Sequence, residues 1–306
     1  MSHDERIYSS FARLSLLAKV GRKLSWQPPY SNMSPLSGVQ KSHQRGRGLD
    51  FVELRHYFEG DDVRCIDWRV TQRTGQAFIR LYAEEKDKNA MLIIDLRSTM
   101  FFASDGAMKS ALASEVAAII AGRIQAEGDR IGALIITDAS IEVHLPQRGG
   151  KSLSNLLDQI VMLGQQLPTN NNHSLISLDD VLKHLCQQKI KDSQIFIISD
   201  FIDFTAGNSN QFINRLAKHN NVIGLRISDP LEETLPESSL LMGDGKLQLA
   251  IDANKSRLRE RYNASVSNQT QQIEDCFNAN SQPCIHLCTH QDSWQQLIEL
   301  SVKGAH

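Results

Sequence analysis

From about residue 90, short apolar segments alternate with stretches that have the apolar spacing of helices. The segment NAMLIIDL, residues 89–96, is rich in Ile and Leu, and apolar residues then recur at helical spacing up to Gly128. RIGALIITD, QIFIISD and NVIGLRISD repeat the strand pattern, whereas SIEVHLP alternates like an exposed edge strand. This order predicts an α/β fold with a doubly wound, mostly parallel sheet flanked by helices.

The sequence before this alternation has a different character. Residues 26–48 are rich in Pro, Ser and Gly, and residues 50–85 are dense in Arg, Asp and aromatic residues. We therefore expect an N-terminal loop- and β-rich subdomain or arm over residues 1–88 and an α/β domain over residues 89–306. Within the latter, about 230–265 is expected to be an insertion, formed by a hairpin at Asp244-Gly245 and a helix.

Charge and hydropathy exclude several classes of protein. Lys and Arg number 33 against 35 Asp and Glu, a formal net charge of -2, so no overall basic field indicates nucleic acid as a partner. No apolar run reaches the roughly 18 residues of a membrane-spanning helix, and no secretory signal is visible. The five cysteines form no closely spaced framework. We expect a cytoplasmic protein without a membrane span or a nucleic-acid partner.

The turn after the first predicted strand carries candidate metal ligands. Asp95 and Thr99 supply short oxygen ligands, and the order of elements nominates Thr169 and Asp200 as ligands from later loops. The set resembles the Asp-x-Ser-x-Ser magnesium site of von Willebrand factor A domains, but Arg97 stands where a second oxygen is expected. A guanidinium has a positive charge and no acceptor, so we expect Arg97 to pair with Asp95 and Asp200 in place of an ion. The prediction is a degenerate, metal-free turn; bound magnesium and a simple helix cap at Asp95 are the alternatives.

Two further groups of residues raise the possibility of an enzyme. LPQRGGKS, residues 145–152, is close to a phosphate-binding loop through Lys151 and Ser152, but Leu145 replaces the first glycine. We expect a solvated turn with a basic tip. A nucleotide-hydrolysing enzyme using these residues, or a metal-dependent one using Asp95 and Asp200, remains the alternative function.

The segment PCIHLCTH places cysteine and histidine at every second position. On a strand the outer two of these four residues would lie about 20 Å apart, too far for one tetrahedral zinc ion. We expect a buried strand here. The residues are Cys284, His286, Cys288 and His290.

The arm carries the most specific motifs of the chain. GRGLDFVELRHYFEGDDVRCIDWRVTQRTG, residues 46–75, contains Gly-x-Gly-x-x-Phe, Arg-x-Tyr, Gly-Asp-Asp-x-Arg and Ile-Asp-Trp in this order, and it resembles the signature of the DUF58 family (domain of unknown function 58). SDPLEETLP, residues 228–236, resembles the family's Asp-Pro-x-Glu-x-x-Leu-Pro segment. The matching positions in the arm are Gly46, Gly48, Phe51, Arg55, Tyr57, Gly60, Asp61, Asp62, Arg64, Ile66, Asp67, Trp68 and Arg73.

This resemblance implies a fold and a function. The fold is a von Willebrand factor A-like domain with an unusual N-terminal portion, often encoded near MoxR-type AAA+ ATPases. The function is that of a non-enzymatic protein-binding adaptor that needs no cofactor and helps such an ATPase in chaperone-like maturation or assembly of other proteins. We expect the partner to be recognised at the sheet end around Asp95, Thr99, Thr169 and Asp200.

The charged residues of the arm have two interpretations. We expect its aspartates and arginines to pair in a salt-bridge network that holds the arm together, because close arginines keep carboxylates ionised rather than poised as acids. The alternative is an interaction surface that includes Tyr57 and Trp68. The paired residues would be Asp61, Asp62, Asp67, Arg55, Arg64, Arg69 and Arg73.

Overall fold

The computed structural model divides the chain into two units, which are described separately. One consists of Met1–Ser31 and Lys88–His306, and the other of Asn32–Asp87. The structure describes residues 4–24, 41–42, 49–84, 89–167, 176–188, 190–236, 239–243, 248–252 and 256–303.

Helices and strands are numbered along the whole chain. The helices are α1 (Phe11–Gly21), α2 (Trp68–Thr74), α3 (Lys109–Glu127), α4 (Gly150–Gly164), α5 (Leu178–Gln187), α6 (Asn208–Ala217), α7 (Pro230–Glu233), α8 (Ser256–Ala279) and α9 (Ser293–Lys303). The strands are β1 (Lys41–Ser42), β2 (Leu49–His56), β3 (Phe78–Glu84), β4 (Asn89–Asp95), β5 (Arg130–Ile136), β6 (Ile141–Gln147), β7 (Ser193–Ser199), β8 (Asn221–Ser228), β9 (Ser239–Gly243), β10 (Gln248–Asp252) and β11 (Cys284–Cys288).

The larger unit is built on a six-stranded sheet with the order β11-β8-β7-β4-β5-β6. Neighbouring strands run parallel except for β6, which pairs antiparallel with β5 at the edge. From β4 the chain adds β5 and β6 on one side, and it then adds β7, β8 and β11 on the other side of β4. This is the doubly wound pattern. The predicted fold class is therefore confirmed, including the edge strand.

The central strands carry apolar side chains on both faces of the sheet. This is expected for a sheet that is covered by helices on both sides. On β4, Leu92 and Ile94 join a core covered by α1, α3, α4 and α9. Met91 and Ile93 point to the opposite core, covered by α5, α6 and α8. Burial on both faces explains why the central strands β4, β5 and β7 are almost continuously apolar.

Helix α1 belongs to the sheet unit, although the sequence pattern assigned it to the arm. Arg13 Nε lies 2.9 Å from Glu115 Oε1 on α3, a residue 102 positions later. A Cβ at Gly122 would collide with the backbone oxygen of Ala18, so glycine permits this close helix contact. The division expected at residue 88 therefore needs correction, because residues 1–31 group with the sheet, where α1 buries its apolar side.

The segment between β8 and β11 contains the expected hairpin and helix. Strands β9 and β10 pair antiparallel, and α8 follows; Asp244-Gly245 lies outside the described residues. The buried strand expected at the cysteine and histidine repeat is β11, an edge strand. Only Ile285 and Leu287 are buried in it, whereas Cys284, His286 and Cys288 are on its less buried side, so the expectation of a fully buried strand was wrong. In the part of the chain that the structure describes, no helix has the length and apolar character that crossing a bilayer requires.

The smaller unit is an antiparallel sheet of order β1-β3-β2 with the short helix α2. Cys65 and Ile79 form its small buried core, and Tyr57 and Ile66 pack against them. Tyr57, one of the motif residues, therefore has a packing role. Gly46 and Gly48 lie outside the described residues.

Candidate functional site

The carboxyl ends of β4 and β7 are neighbours where the winding of the sheet reverses. Asp95 is the last residue of β4, Ser199 is the last of β7, and Asp200 follows it. Ile94 and Ile198 are direct partners in the parallel register. Ligands of doubly wound folds bind in the crevice at this position. Asp95 and Asp200, which were predicted from the sequence, therefore both lie at this crevice.

Arg97 donates hydrogen bonds to both carboxylate oxygens of Asp95. Arg97 Nε and backbone N donate to Asp95 Oδ1 at 2.9 and 3.1 Å, and Arg97 Nη2 donates to Oδ2 at 2.7 Å. Ser199 Oγ also donates to Oδ2, at 2.7 Å. A carboxylate has about four lone-pair sites, so these donors leave Asp95 without free acceptor capacity.

The pair is deeply buried, with Asp95 0% and Arg97 2% exposed. Burial raises the pKa of Asp95, whereas the contacts with Arg97 oppose that rise. Burial alone would lower the pKa of Arg97, but Asp95 and Asp203 raise it above its ordinary value. Because a guanidinium keeps its proton in proteins, we treat the pair as ionised at neutral pH.

The second carboxylate of Arg97 is Asp203 rather than the predicted Asp200. Arg97 Nη1 lies 2.7 Å from Asp203 Oδ2, and Nη2 lies 3.1 Å from Oδ1, a two-pronged contact. Leu178 N, at the start of α5, donates to Asp203 Oδ2 at 2.8 Å. Burial alone would raise the pKa of Asp203, but Arg97 outweighs it and holds that pKa below the ordinary value. The chain turns sharply at Phe201, which has a φ of 55°, and Asp203 follows that turn.

Asp200 pairs with a cation that sequence reasoning did not nominate. Lys109, the first residue of α3, is only 1% exposed. Its Nζ lies 2.9 Å from Asp200 Oδ2 and 2.5 Å from Glu232 Oε1. Burial would lower the pKa of Lys109, but both carboxylates raise it, and burial raises the pKa of Glu232.

Two more aspartates fix the loops around this centre. Asp138 accepts the backbone N–H of Ser98 at 3.0 Å and thereby holds the turn that carries Arg97. Asp229 caps α7 through Leu231 N at 3.0 Å and also accepts hydrogen bonds from Ser104 and Thr289. This explains the SDPLEETLP motif, since Asp229 joins three loops and Glu232 reaches Lys109.

The arrangement does not fit magnesium. The expected ligands Asp95 and Asp200 are already bound by Arg97 and Lys109, whose donors occupy the oxygens that an ion would need. Thr99 Oγ1 is buried and has no hydrogen-bond partner among the described residues, and Thr169 lies outside them. Across the described ranges, no group of three or more His, Cys, Asp or Glu side chains is arranged to hold a metal ion.

Millimolar magnesium or manganese is therefore expected to leave the melting temperature unchanged. A ligand that binds only the folded state raises stability with its concentration, so thermal denaturation in a metal titration is a direct measurement. A rise in melting temperature that disappears in Asp200→Ala would contradict this interpretation.

The loop that resembles a phosphate-binding loop lies at the opposite end of the sheet from the site around Asp95. Because β6 is antiparallel, its last residue, Gln147, lies opposite the carboxyl ends of the parallel strands. Ser152 is buried at the start of α4, and its Oγ lies 3.1 Å from His144 Nε2. Lys151 and Ser152 therefore do not join the cluster around Asp95.

A small cavity lies beside the site. It measures about 140 Å³ and is lined by residues that include Leu96, Asp138 and Glu142. Small-molecule sites typically enclose about 300–1,000 Å³. This cavity is too small for most metabolites or cofactors.

The arm's aspartates have structural contacts, but not the full network expected. Asp61 accepts a two-pronged contact from Arg55 at 2.8 and 3.0 Å. Asp62 accepts Arg64 N at 2.9 Å, and Gly60 adopts a φ of 104° in the preceding turn.

Asp67 begins α2 and pairs with Arg80 on β3 at 2.7 Å, a residue not predicted. The side chains of Arg64, Arg69 and Arg73 are exposed and form no ion pair with any described residue. The prediction that these three arginines bind the aspartates is therefore wrong, because Arg80 and backbone N–H groups take their place.

Sequence reasoning missed Lys109, Asp203 and Glu232. Lys109 stands among small and apolar residues at the start of a helix, where a lysine needs a buried partner. Asp203 follows Asp200 within the strand-end turn, so a second acid near the site could have been considered. Glu232 lies inside a recognised motif, but no spacing rule connected it to Lys109.

Comparison with known proteins gives relatives without a described activity. Uncharacterized protein Rv1480 of Mycobacterium tuberculosis and Uncharacterized protein Mb1516 of Mycobacterium bovis are each 28% identical over 215 residues. The alignment covers 70% of this chain and 64% of each relative, so the chain spans less than two thirds of their length.

Solved structures with a similar fold have low sequence identity. BatB from Bacteroides thetaiotaomicron has 12% identity and a TM-score of 0.42, covering 71% of this chain and 98% of that one. A von Willebrand factor type A protein from Catenulispora acidiphila has 10% identity and a TM-score of 0.42, covering 74% and 43%. The strand order itself remains the basis for the fold.

A family model places the chain among its relatives. The model described as "Protein of unknown function DUF58" matches residues 53–272, more than half of the chain. The match includes the Gly-Asp-Asp and Ile-Asp-Trp motifs of the arm and the SDPLEETLP segment that supports Lys109. The chain belongs to the DUF58 family.

Proposed function

We propose that this protein is a non-enzymatic, protein-binding adaptor of the cytoplasm that works with a MoxR-type AAA+ ATPase in the maturation or assembly of other proteins. The observation that supports this proposal is the internal pairing at the sheet end. Arg97 and Lys109 neutralise the carboxylates that could otherwise bind a metal or act as general bases. With Asp95 and Asp200 already bound by internal cations, the site has little free acid or base for a reaction, which favours a role in recognition.

The partner would contact the rim of the site rather than its centre. Asp95 and Asp200 are buried, so the direct contact expected from the sequence needs revision. Ile202 is 53% exposed, and its backbone N donates to Asp200 Oδ1 at 3.1 Å. Gln269 Nε2 donates to Ile202 O at 3.1 Å. The backbone of Ile202 is therefore held by hydrogen bonds at both its N–H and its carbonyl, while its apolar side chain is exposed.

The enzyme alternative has less support. Asp95 has no free acceptor, Asp200 is bound by Lys109, and Lys151 lies at the far edge of the sheet. A hydrolase would need at least one group free to activate water. Neither proposed set of catalytic residues provides one.

Binding to a purified MoxR-type ATPase from the same genome tests the proposal. We expect measurable affinity in titration calorimetry, and a loss of about tenfold in Ile202→Asp, which places a charge in an apolar contact. Met162→Asp is the matched control, since Met162 is equally exposed on α4. We expect no nucleotide hydrolysis by this chain alone.

Two results would contradict the proposal. One is the absence of binding to the ATPase by the wild-type chain. The other is nucleotide turnover by this chain that is lost in Lys151→Ala, which would favour the enzyme alternative.

A further inference from the structure

The short helix α2 of the smaller unit carries an exposed aromatic side chain beside exposed basic ones. Trp68 is 68% exposed, an unusual state for the largest apolar side chain. Arg69 and Arg73 are also exposed and lie four residues apart, on one face of the helix. We call Trp68, Arg69 and Arg73 the α2 surface.

Acidic residues hold this helix in place without covering it. Asp67 is 7% exposed and caps α2 by accepting Arg69 N and Val70 N at 3.1 and 3.3 Å. Its other oxygen accepts Arg80 Nε at 2.8 Å. Gly75 ends the helix with a φ of 73°. Both ends are therefore fixed before any partner arrives, which lowers the entropy cost of binding.

The basic side chains of the α2 surface form no ion pair with the residues that the structure describes. Helix α2 has the sequence WRVTQRT and contains no acidic residue. Within the described parts of the chain, neither Arg69 nor Arg73 forms an ion pair. Asp67, the nearest acid in sequence, is already engaged by Arg80. The surface therefore combines an apolar ring with uncompensated positive charge.

We propose that the α2 surface is a docking site for an acidic segment of a partner protein. Tryptophan and arginine are the side chains most enriched at the energetic centres of protein interfaces. Glutamate or aspartate of the partner would pair with Arg69 and Arg73, and an apolar side chain would pack against the indole of Trp68. This surface belongs to the smaller unit, whereas the sheet-end site belongs to the larger one, and the proposal does not depend on the partner being an ATPase.

Protein fits this surface better than nucleic acid does. The formal net charge of the whole chain is -2. An acidic protein segment needs only the local charge of two arginines, whereas nucleic acid binding uses a wider basic field.

Site-specific photo-crosslinking in cells tests the proposal. Gln72→p-benzoylphenylalanine in the full chain places the probe one turn from Trp68 and keeps the α2 surface intact. We expect crosslinking to a protein, and sequencing of the linked peptide is expected to show a segment with an excess of Asp and Glu. Crosslinking should fall at least about tenfold in Arg69→Glu/Arg73→Glu and in Trp68→Ala.

A matched charge reversal controls for general repulsion. Arg215→Glu/Lys218→Glu reverses two exposed charges at the end of α6 and is expected to leave crosslinking unchanged. Circular dichroism of each variant confirms that it is folded. The proposal is overturned if the linked molecule is nucleic acid, a part of this same chain, or a peptide without acidic excess. It is also overturned if crosslinking is absent or survives in Arg69→Glu/Arg73→Glu.

Discussion

Arg97→Ala is expected to reduce the free energy of unfolding by about 3–5 kcal/mol, the usual cost of removing one partner of a buried ion pair. The change leaves Asp95 without its main donors in a position that is 0% exposed. It also removes the contacts of Arg97 to Asp203 at 2.7 and 3.1 Å. Urea denaturation at pH 7, followed by circular dichroism, measures the loss.

A partly exposed ion pair provides the control for Arg97. Arg123 pairs with Glu127 at 2.6 Å one helical turn away, and both side chains are partly exposed. Arg123→Ala is expected to cost less than about 1 kcal/mol. Asp95→Asn added to Arg97→Ala should recover part of the loss, because the uncompensated charge is removed. If Arg97→Ala reduced the free energy of unfolding no more than Arg123→Ala does, the interpretation that Arg97 replaces a metal ion at Asp95 would be wrong.

Lys109→Met is expected to have an effect of similar size, about 3–5 kcal/mol at pH 7, for the same reason. The thioether side chain keeps the apolar stem but leaves Asp200 and Glu232 facing each other without a cation. Burial already raises the pKa of Glu232, and in the variant the loss of the cation would raise it further in the folded state. Lys218→Met, on the exposed surface of α6, is the control and is expected to change stability by less than about 0.5 kcal/mol.

The stability of Lys109→Met is expected to depend on pH in a defined direction. An acid whose pKa is raised on folding binds its proton more tightly in the folded state, so stability falls as pH rises through the range between the unfolded and folded pKa values. We expect the variant to be most stable near the unfolded value of about 4.3 for Glu and to lose stability toward pH 7. In the wild-type chain, the raised pKa of Lys109 adds stability below the unfolded value of about 10.4. A variant whose deficit relative to wild type did not grow between pH 4.5 and 7 would contradict this account.

The sheet was predictable because its signals are local and repeated. The central strands β4, β5 and β7 are nearly continuous apolar runs, and Gly128 marks the end of α3 with a φ of 80°. The edge strand was recognisable because only one side of it is covered. Helix α1 was not assigned correctly, since its partner α3 lies beyond the arm and nothing in α1 itself identifies that partner.

The site was predictable where its residues share one turn. Asp95 and Arg97 are two positions apart, and their charges alone indicate a pair. The choice between Asp200 and Asp203 depended on the backbone turn at Phe201, which no apolar pattern encodes. Lys109 reaches Asp200 over 91 positions and Glu232 over 123. Charge alone cannot decide among so many distant partners.

The contact between α1 and α3 has a consequence for the order in which the protein folds. Arg13 and Glu115 are 102 positions apart, with the entire smaller unit between them. During synthesis, α1 therefore leaves the ribosome long before its binding surface exists, and its apolar residues Leu14 and Leu17 stay available to chaperones until α3 is made. Contacts of such wide separation slow folding. A bulky fusion on α1 is thus expected to hinder the late closure of the sheet unit while the smaller unit forms normally.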